Sequence, residues 1–449
     1  MGMLSPARRF ATPWSLLPAT LALLLALGSI PGVLAQTATP AATPAASSTD
    51  QPLPPAWLEF GPDGRLFARV IVTGDCPPIT VDGRETAMAP RTAPSDAFPV
   101  VACEATVPFG VTEVAITGQS LPIPDAPFTR IAVIGDTGCR LNDWEGHGTY
   151  QACNDTRAWP FAQVAASVAA WEPDIIIHVG DYLYRESPCP PSESGCAGSP
   201  HGDNWETWNV DFFSPASSLL GVAPWVFMRG NHEVCGRNPE GWFRYLDPRP
   251  FQAQCQHFTE PYVATLDGLS LGVIDSAEAG DQTTTAEENA QYKRQFDILA
   301  ELAPAGSWLV THRPVHGILE GQRGEFEVEN ASYQGATGGT IPGAYALILS
   351  GHIHLAEAIA FEATSNRPPQ LISGNAATAL DDIPTASPTA GQLGDSTVED
   401  AETLSSFGFL TLEPDGDNWI ATQRDATGSP LLGCYLELPE MTCGLARTE

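Results

Sequence analysis

The chain has 449 residues and a strong negative charge. It contains 53 Asp and Glu against 21 Lys and Arg, which gives a formal net charge of −32 at pH 7. Nucleic-acid backbones and anionic membranes are poor partners for such a surface, because like charges repel. A small anionic molecule can still bind where metal ions reverse the local field.

Two N-terminal segments are expected to lie outside the folded part. Residues 1–35 have arginines near the start, an apolar centre and small residues before Gln36, which is the pattern of a cleaved signal peptide. Residues 36–55 are largely Ala, Thr, Pro and Ser, and such a linker buries too little apolar surface to become ordered. No later apolar run approaches the roughly 18 residues of a membrane-spanning helix. We therefore predict a secreted or otherwise extracytoplasmic protein without stable membrane association after signal removal.

The first folded region is predicted to be all-β. Between residues 56 and 121, short runs such as RLFARVIV and VVACEATV alternate with Pro, Gly and Asp turns and show no helical period. That pattern is typical of a small β-sandwich.

A second domain is predicted over residues 128–445. From Thr129 the pattern becomes strand, helix, strand, with helices over Ala158–Trp171 and Thr284–Leu302. Strand-like runs dominate again near the C-terminus, which favours two packed sheets over one doubly wound sheet.

Two long polar segments are predicted to be loops. Residues 317–343 and 381–403 are rich in Gly, Thr and Asp, and long loops in compact domains are usually functional or disordered. The first is a candidate for the substrate entrance, and the second is interpreted as a solvated flap.

Ten cysteines in an exported chain indicate disulfides. Sequence cannot fix their connectivity, but neighbours along the chain make plausible pairs. These are Cys76 with Cys103, Cys139 with Cys153, Cys189 with Cys196, Cys235 with Cys255, and Cys434 with Cys443. An alternative is that Cys139 is a thiolate metal ligand, which hard oxygen and imidazole donors elsewhere disfavour.

Possible metal ligands follow five short apolar runs. In DIIIHVGDYLY (174–184) the run ends in Gly180, which lets the backbone turn and present Asp181 beyond the strand. A helix-cap or turn role explains most isolated aspartates of this kind, but the pattern repeats. The other four runs end in Asp136, in Asn231 and His232, in His312, and in His352 and His354.

These strand ends resemble a known superfamily. The ordered blocks GDTG (135–138), GDYLY (180–184), GNHE (230–233), LVTH (309–312) and GHIH (351–354) are similar to those of the metallophosphoesterase (calcineurin-like) superfamily. The match covers about residues 129–356. Gly138 in GDxG and Tyr184 in GDxxY make the chain most like the purple acid phosphatases. The resemblance implies an α/β fold, a two-sheet α/β/β/α metallophosphoesterase sandwich, preceded by a small all-β (fibronectin-like) sandwich domain.

The resemblance also implies a binuclear metal centre. Asp136, Tyr184 and His354 would hold Fe(III), and Asn231, His312 and His352 would hold a divalent ion (Zn, Mn or Fe(II)), with Asp181 bridging the two. His232 would face the substrate as a catalytic residue. His316 is a second catalytic candidate, which either replaces a substrate-side histidine of the family or merely packs.

The implied activity is an acid phosphatase-like hydrolysis of phosphomonoesters by in-line attack of a metal-bound hydroxide. A phosphodiesterase on the same scaffold is an alternative, because the motifs specify the phosphoryl site rather than the leaving group. A non-catalytic protein that binds phosphate esters, or acts at a surface, is the alternative from another class. Intact ligands at every motif argue against it.

Overall fold

The computed structural model describes residues 55–123, 127–143, 148–266, 268–320, 326–365, 367–383, 392–393 and 396–445. All of them belong to one compact unit. The predicted signal peptide (1–35) and all of the predicted linker (36–55) except Pro55 lie outside the described residues. Within those described ranges, no helix has the length and apolar character needed to cross a bilayer.

The N-terminal region is built of strands, as predicted. Its strands are β1 (Ala56–Phe60), β2 (Leu66–Val72), β3 (Pro78–Val81), β4 (Arg84–Ala87), β5 (Ala89–Pro90), β6 (Val101–Val107), β7 (Val114–Ile116) and β8 (Gln119–Leu121).

The middle of the chain alternates strands with short helices. In chain order these are β9 (Ile131–Ile134), β10 (Leu141–Asn142), β11 (Thr149–Tyr150), α1 (Phe161–Ala170), β12 (Ile175–His178), α2 (Trp205–Trp208), β13 (Trp225–Phe227), α3 (Pro239–Tyr245), β14 (Tyr262–Leu266) and β15 (Leu269–Val273). Helix α1 lies inside the range predicted for it.

The last part begins with the longest helix and ends in strands. Helix α4 starts at Ala286, two residues after the predicted Thr284, because Thr285 and Glu288 form a reciprocal capping box. The elements are α4 (Ala286–Leu302), β16 (Trp308–Val310), β17 (His316–Glu320), β18 (Phe326–Glu329), α5 (Ala331–Thr337), β19 (Leu347–Ser350), β20 (Ala356–Phe361), β21 (Gln370–Ser373), β22 (Gln392–Leu393), β23 (Ser396–Leu404), β24 (Gly408–Asp415), β25 (Asn418–Asp425), β26 (Pro430–Glu437) and β27 (Glu440–Leu445).

Two large sheets organise these strands in the described part of the chain. The first sheet has the order β27-β26-β25-β24-β9-β12-β13-β1-β2-β6-β5, and the second has the order β14-β15-β16-β19-β21-β20-β23-β22. The neighbours β9, β12 and β13 are parallel in the first sheet, and β15, β16, β19 and β21 are parallel in the second. Parallel strands end at the same edge, so loops that follow them in each sheet lie together.

The sheets form the two inner layers of an α/β/β/α sandwich, which confirms the predicted fold class. Alternate residues such as Val133 and Val310 pack between the sheets. The opposite face of the first sheet packs on α1 through Phe161, and the opposite face of the second packs on α4 through Phe296. Burial of both faces explains why the central strands read as uninterrupted apolar runs.

The all-β N-terminal region differs from the predicted separate sandwich in its pairing. Strand β1 pairs in parallel with β13 and antiparallel with β2, so β1, β2, β5 and β6 extend the first sheet. Strands β3, β4, β7 and β8 form a small sheet of their own. Every residue of β1 is buried, which is expected for a strand inside a sheet and unlike the alternation of a half-exposed strand.

The two predicted loops contain regular structure. Residues 317–343 include most of β17, together with β18 and α5, and β17 and β18 pair as a hairpin. Residues 381–403 include most of β23, which pairs with β20. Burial of Val398 and Ala401 anchors β23, and this outweighs the acidic composition that suggested a solvated flap.

The five predicted cysteine pairs are all confirmed as disulfides. Cys139 is bonded to Cys153, so the alternative in which Cys139 is a metal ligand is wrong. Five disulfides are typical of a protein that matures in an oxidising compartment.

Candidate metal centre

The seven candidate ligands come from loops that follow parallel strands of both sheets. The first sheet supplies the oxygen donors, which are Asp136 after β9, Asp181 and Tyr184 after β12, and Asn231 after β13. The second sheet supplies the imidazoles, which are His312 after β16, and His352 and His354 after β19. The predicted ligands therefore meet where the two sheets face each other.

Three candidate ligands converge on the hydroxyl of a fourth, Tyr184. Its oxygen lies 2.7 Å from Asp181 Oδ2, 2.9 Å from Asp136 Oδ1 and 2.8 Å from His354 Nε2. A phenol has one proton and cannot donate to two carboxylates at once. The four donor atoms are therefore arranged like the ligands around a metal ion.

A second group forms around His312. Its Nε2 lies 2.9 Å from Asn231 Oδ1 and 3.3 Å from Asp181 Oδ2. One ligand atom each of Asp181, His312 and His352 lie within 4.8 Å of one another. Asp181 Oδ2 thus takes part in both groups, as expected for a bridging carboxylate.

Two imidazoles are oriented by backbone carbonyls. His312 Nδ1 lies 2.8 Å from the Val179 carbonyl oxygen, and His354 Nδ1 lies 3.0 Å from the Ala379 carbonyl oxygen. Donation of Nδ1–H to a carbonyl leaves Nε2 available as a ligand atom, which is the usual arrangement around metal-binding histidines.

The backbone at the site is strained. Asp136, Asp181 and His352 have positive φ angles of 57°, 61° and 72°. Non-glycine residues rarely adopt this conformation, and such strain is concentrated at functional sites. Gly180 has a φ of 108°, and a Cβ at this position would come within 2.4 Å of His312 Nδ1. Because Gly180 has no side chain, the backbone before Asp181 can lie against the His312 imidazole.

Gly138 is required by close packing. A Cβ at this position would lie 2.7 Å from both the Tyr182 carbonyl oxygen and the Tyr184 nitrogen. The glycine of GDxG therefore allows its loop to lie against the loop that carries Tyr184, which gives a physical reason for these two features to occur together.

The electrostatics of the site are those of buried carboxylates. Burial raises the pKa of Asp181, but His312 and His232 outweigh this effect and leave the pKa well below its usual value. Burial, followed by the carboxylates of Asp136 and Asp181, raises the pKa of Tyr184 well above its usual value. A cation among these oxygens would stabilise both carboxylates and would favour the phenolate form of Tyr184.

His232 lies beside both groups without joining either. Its ring centroid is 3.6 Å from that of Tyr184, and its backbone nitrogen donates to Asp181 Oδ1 at 2.9 Å. Its Nδ1 lies 3.0 Å from Glu186 Oε1 and its Nε2 lies 3.1 Å from Arg237 Nη2. Burial lowers its pKa to about 4, partly opposed by the Asp181 carboxylate.

His316 is placed apart from the candidate ligands. Its backbone nitrogen donates to Gln370 Oε1 at 3.0 Å, its ring packs 5.1 Å from Phe361, and its Nε2 lies 3.2 Å from Arg367 Nη1. It lines a cavity of about 530 Å³, and none of the seven candidate ligands is among the described lining residues. The reason is that His316 begins β17 and packs toward β20, which favours the packing alternative.

Sequence reasoning missed several charged residues around the centre. Arg140 Nη2 lies 2.8 Å from His354 Nδ1, and Arg313 Nη1 and Asp281 Oδ2 each lie 3.0 Å from His352 Nε2. Glu186 contacts His232, as described above. Arg140, Arg313 and Glu186 lie within two residues of a strand-end motif and Asp281 lies far from any, but the pattern predicted metal donors at these ends and not charged partners beside them.

Two buried carboxylates support the ligand loops. Asp211 accepts hydrogen bonds from the backbone nitrogens of Cys139 and Tyr184, each at 2.9 Å. Glu233 accepts from the backbone nitrogens of Tyr182, Leu183 and Gly230. Glu233 thus orients the backbone on either side of the ligand loops, and no pattern in the sequence distinguished Asp211.

The chain belongs to the calcineurin-like phosphoesterase family. The model of that family matches residues 129–356, which is just over half of the chain and contains all five strand-end motifs. A comparison with curated proteins gives no significant match.

Solved structures show the same fold at low sequence identity. A purple acid phosphatase, PPD1, from yellow lupin (Lupinus luteus) seeds has a TM-score of 0.50 and 12% identity, with 86% of this chain and 73% of that chain covered. PhoD also has a TM-score of 0.50, with 11% identity and with 90% of this chain and 94% of that chain covered. At such identities the likeness concerns the fold alone.

The residues present fit a pair of metal ions. Carboxylate and phenolate are hard anions that suit ferric iron, and imidazole with amide oxygen suits a divalent ion. The two donor groups share Asp181 Oδ2, which lies 3.3 Å from His312 Nε2 and 2.7 Å from the Tyr184 hydroxyl oxygen, and His354 Nε2 lies 2.8 Å from that hydroxyl oxygen. Asp136 and Asp181 are buried, and buried carboxylates are costly unless paired or bound to a cation.

Proposed function

We propose that the protein is an exported phosphatase that hydrolyses small phosphomonoesters with a binuclear metal centre, like the purple acid phosphatases. The proposal is carried by one observation: two groups of ligand atoms share Asp181 Oδ2 beside the ring of His232. The family, whose model includes every motif of the site, is a family of phosphoesterases.

The ligand assignment follows the two groups. Asp136, Tyr184 and His354 would hold Fe(III), Asn231, His312 and His352 would hold Zn, Mn or Fe(II), and Asp181 would serve both ions. When bound, the ions supply charge to polarise the phosphoryl group and activate a water molecule for in-line displacement.

Side chains of the protein act on the phosphoryl group and on the leaving oxygen. His232 lies outside the ligand groups but in contact with Tyr184, so its imidazole is positioned to stabilise charge on the phosphoryl group or to protonate the leaving oxygen. Glu186 and Arg237 fix the orientation of the His232 ring. Disulfides and the predicted signal peptide support action outside the cytoplasm.

The test is an assay of the purified, metal-loaded protein with para-nitrophenyl phosphate and with bis(para-nitrophenyl) phosphate, beside elemental analysis. We expect two ions per chain and a higher kcat/KM for the monoester. A higher kcat/KM for the diester would make the protein a phosphodiesterase. Two bound ions without turnover of either ester would support a binding protein, and a single ion would refute the binuclear centre.

A further inference from the structure

Three arginines border the candidate centre of this very acidic chain. Arg140, Arg237 and Arg313 each bring a guanidinium nitrogen within about 3 Å of a histidine ring at the site. The chain has only 21 basic residues against 53 acidic ones, so three arginines at one site are more than its composition predicts.

Two of these arginines are already paired with carboxylates. Arg237 contacts both carboxylate oxygens of Glu186, at 2.5 Å and 2.9 Å, and Arg313 forms an ion pair with Asp281. Arg140 makes no ion pair with any carboxylate of the described residues. Its guanidinium is half-buried and lies over the Tyr184 ring, 5.8 Å from the ring centroid.

The contact between Arg140 and His354 does not satisfy the guanidinium. His354 Nδ1 lies 3.0 Å from the Ala379 carbonyl oxygen, and with Nε2 as the proposed ligand atom the ring proton is on Nδ1 and is donated to this carbonyl. Arg140 Nη2 lies 2.8 Å from the same Nδ1, and a guanidinium has donors but no acceptor. Two donors facing each other form no hydrogen bond, so Arg140 keeps donors for an anion.

The backbone of Arg140 is held firmly. Its nitrogen donates to Gln151 Oε1 at 2.9 Å and its carbonyl oxygen accepts from Gln151 N at 2.8 Å. The preceding residue, Cys139, is tied to Cys153 by a disulfide. A fixed backbone with an unsatisfied guanidinium suits an anion-binding residue. Because the backbone is already ordered, binding costs little of its conformational freedom.

We propose that Arg140 binds the non-esterified oxygens of the scissile phosphoryl group. Arg140 Nη2 lies 3.5 Å from His354 Nε2, the candidate ligand atom, so the guanidinium reaches the edge of the centre. A planar fork of N–H donors matches two phosphate oxygens. This inference rests on the proposed function and deepens it, because a guanidinium attracts the dianion of a monoester more strongly than the monoanion of a diester.

The test compares Arg140→Gln and Arg140→Lys with the wild type, and uses Arg157→Gln as the control. Arg157 lies in a nearby loop with its side chain 90% exposed and pairs with Asp155. Each metal-loaded protein is titrated calorimetrically with inorganic phosphate, its metal content is measured, and kcat/KM is determined for the monoester and the diester. Thermal unfolding checks that each variant is folded.

We expect Arg140→Gln to raise the Kd for phosphate on the order of 10-fold to 100-fold, as for loss of a charged hydrogen bond. Metal content stays at the wild-type value, and kcat/KM falls more for the monoester than for the diester. Arg140→Lys keeps the positive charge but loses the planar fork of N–H donors. We therefore expect its Kd for phosphate to lie between those of the wild type and Arg140→Gln. Arg157→Gln behaves as wild type.

An unchanged phosphate Kd in a folded, metal-replete Arg140→Gln protein would overturn the proposal. Loss of metal from both Arg140 variants would also overturn it, because Arg140 would then be holding His354 in place rather than binding substrate. A wild-type protein that binds phosphate but hydrolyses neither ester would contradict the phosphatase activity alone, since the calorimetric comparison would still decide the role of Arg140.

Discussion

The two large sheets contribute different chemistry to the candidate centre. The loops of the first sheet present carboxylates, a phenol and an amide, whereas the loops of the second present imidazoles. Each proposed ion would therefore be held from both sides. The first sheet supplies the negative charge and the second supplies neutral donors, so neither sheet alone offers a complete set.

This division suggests why the two proposed positions differ. The group around Tyr184 combines three oxygen donors of the first sheet with one imidazole. The group around His312 takes two imidazoles from the second sheet, with Asn231 and Asp181 from the first. More anionic oxygen around one position favours the harder ion there.

Asp181→Ala should have the largest effect, because it removes the atom that the two groups share. We expect both ions and all measurable turnover to be lost in a protein that still folds. Elemental analysis and the phosphate-ester assay give the readout, with exposed Asp417→Ala as the control. An Asp181→Ala protein that keeps two ions would show that the carboxylate does not bridge.

His232→Ala should separate chemistry from metal binding. His232 belongs to neither ligand group, so we expect the metals to stay and kcat to fall on the order of 10² to 10⁴, the usual contribution of a positioned acid or base. His257→Ala is the matched control, since that ring is exposed and pairs with Glu278. Loss of metal from His232→Ala would make His232 a ligand instead.

Tyr184→Phe should show whether the phenol contributed by the first sheet binds iron. A phenolate bound to Fe(III) transfers charge to the metal, so the iron-loaded protein should be violet or pink and the variant colourless. Tyr182→Phe is the control, because Tyr182 lies in the same loop but donates its hydroxyl to the Met228 carbonyl oxygen. A visible band that survives in Tyr184→Phe, or is absent from an active ferric wild type, would contradict tyrosinate ligation.

Glu357, on β20 of the second sheet, should give the smallest effect and one that concerns stability. Burial raises its pKa to about 8 from 4.5, while the Ile318 amide acts in the opposite direction and Asp381 raises the pKa further. Between these values the folded protein retains a proton that the unfolded chain has released. The free energy of unfolding should therefore fall as pH rises through this window, by at most about 1.4 kcal/mol per pH unit.

Denaturant unfolding of the wild type and Glu357→Gln between pH 4.5 and 8 measures this contribution. The difference in unfolding free energy between the two should change with pH, whereas exposed Glu362→Gln should follow the wild type. Parallel pH profiles for Glu357→Gln and wild type would show that Glu357 is ionised in the folded protein.

The candidate ligands were predictable because they follow a physical regularity. Short apolar runs that end in Gly-Asp or in histidine predict parallel strands with donors at one edge, and Asp136, Asp181 and His312 lie there. The local disulfide pairs were predictable for a similar reason, since each joins cysteines that are near in sequence.

Other features depend on contacts that no local pattern records. Arg140 and Asp281 lie in irregular segments, and only the fold brings them to His354 and His352. The composition of residues 381–403 favoured a flap, but pairing with β20 made much of it a strand. The all-β region was recognised, yet its membership of the first sheet depends on the pairing of β1 with β13.

The pairing of β1 has a consequence for biosynthesis. During translation β1 emerges long before β13, the strand on its other side, and the register joins Glu59 to Trp225. Contacts between such distant parts of a chain form slowly, because a large loop must close first. A strand with four apolar residues among its five must meanwhile stay unpaired on one side, which exposes it to aggregation. Until β13 (Trp225–Phe227) is made, the open edge of β1 therefore remains a place where nascent chains can associate.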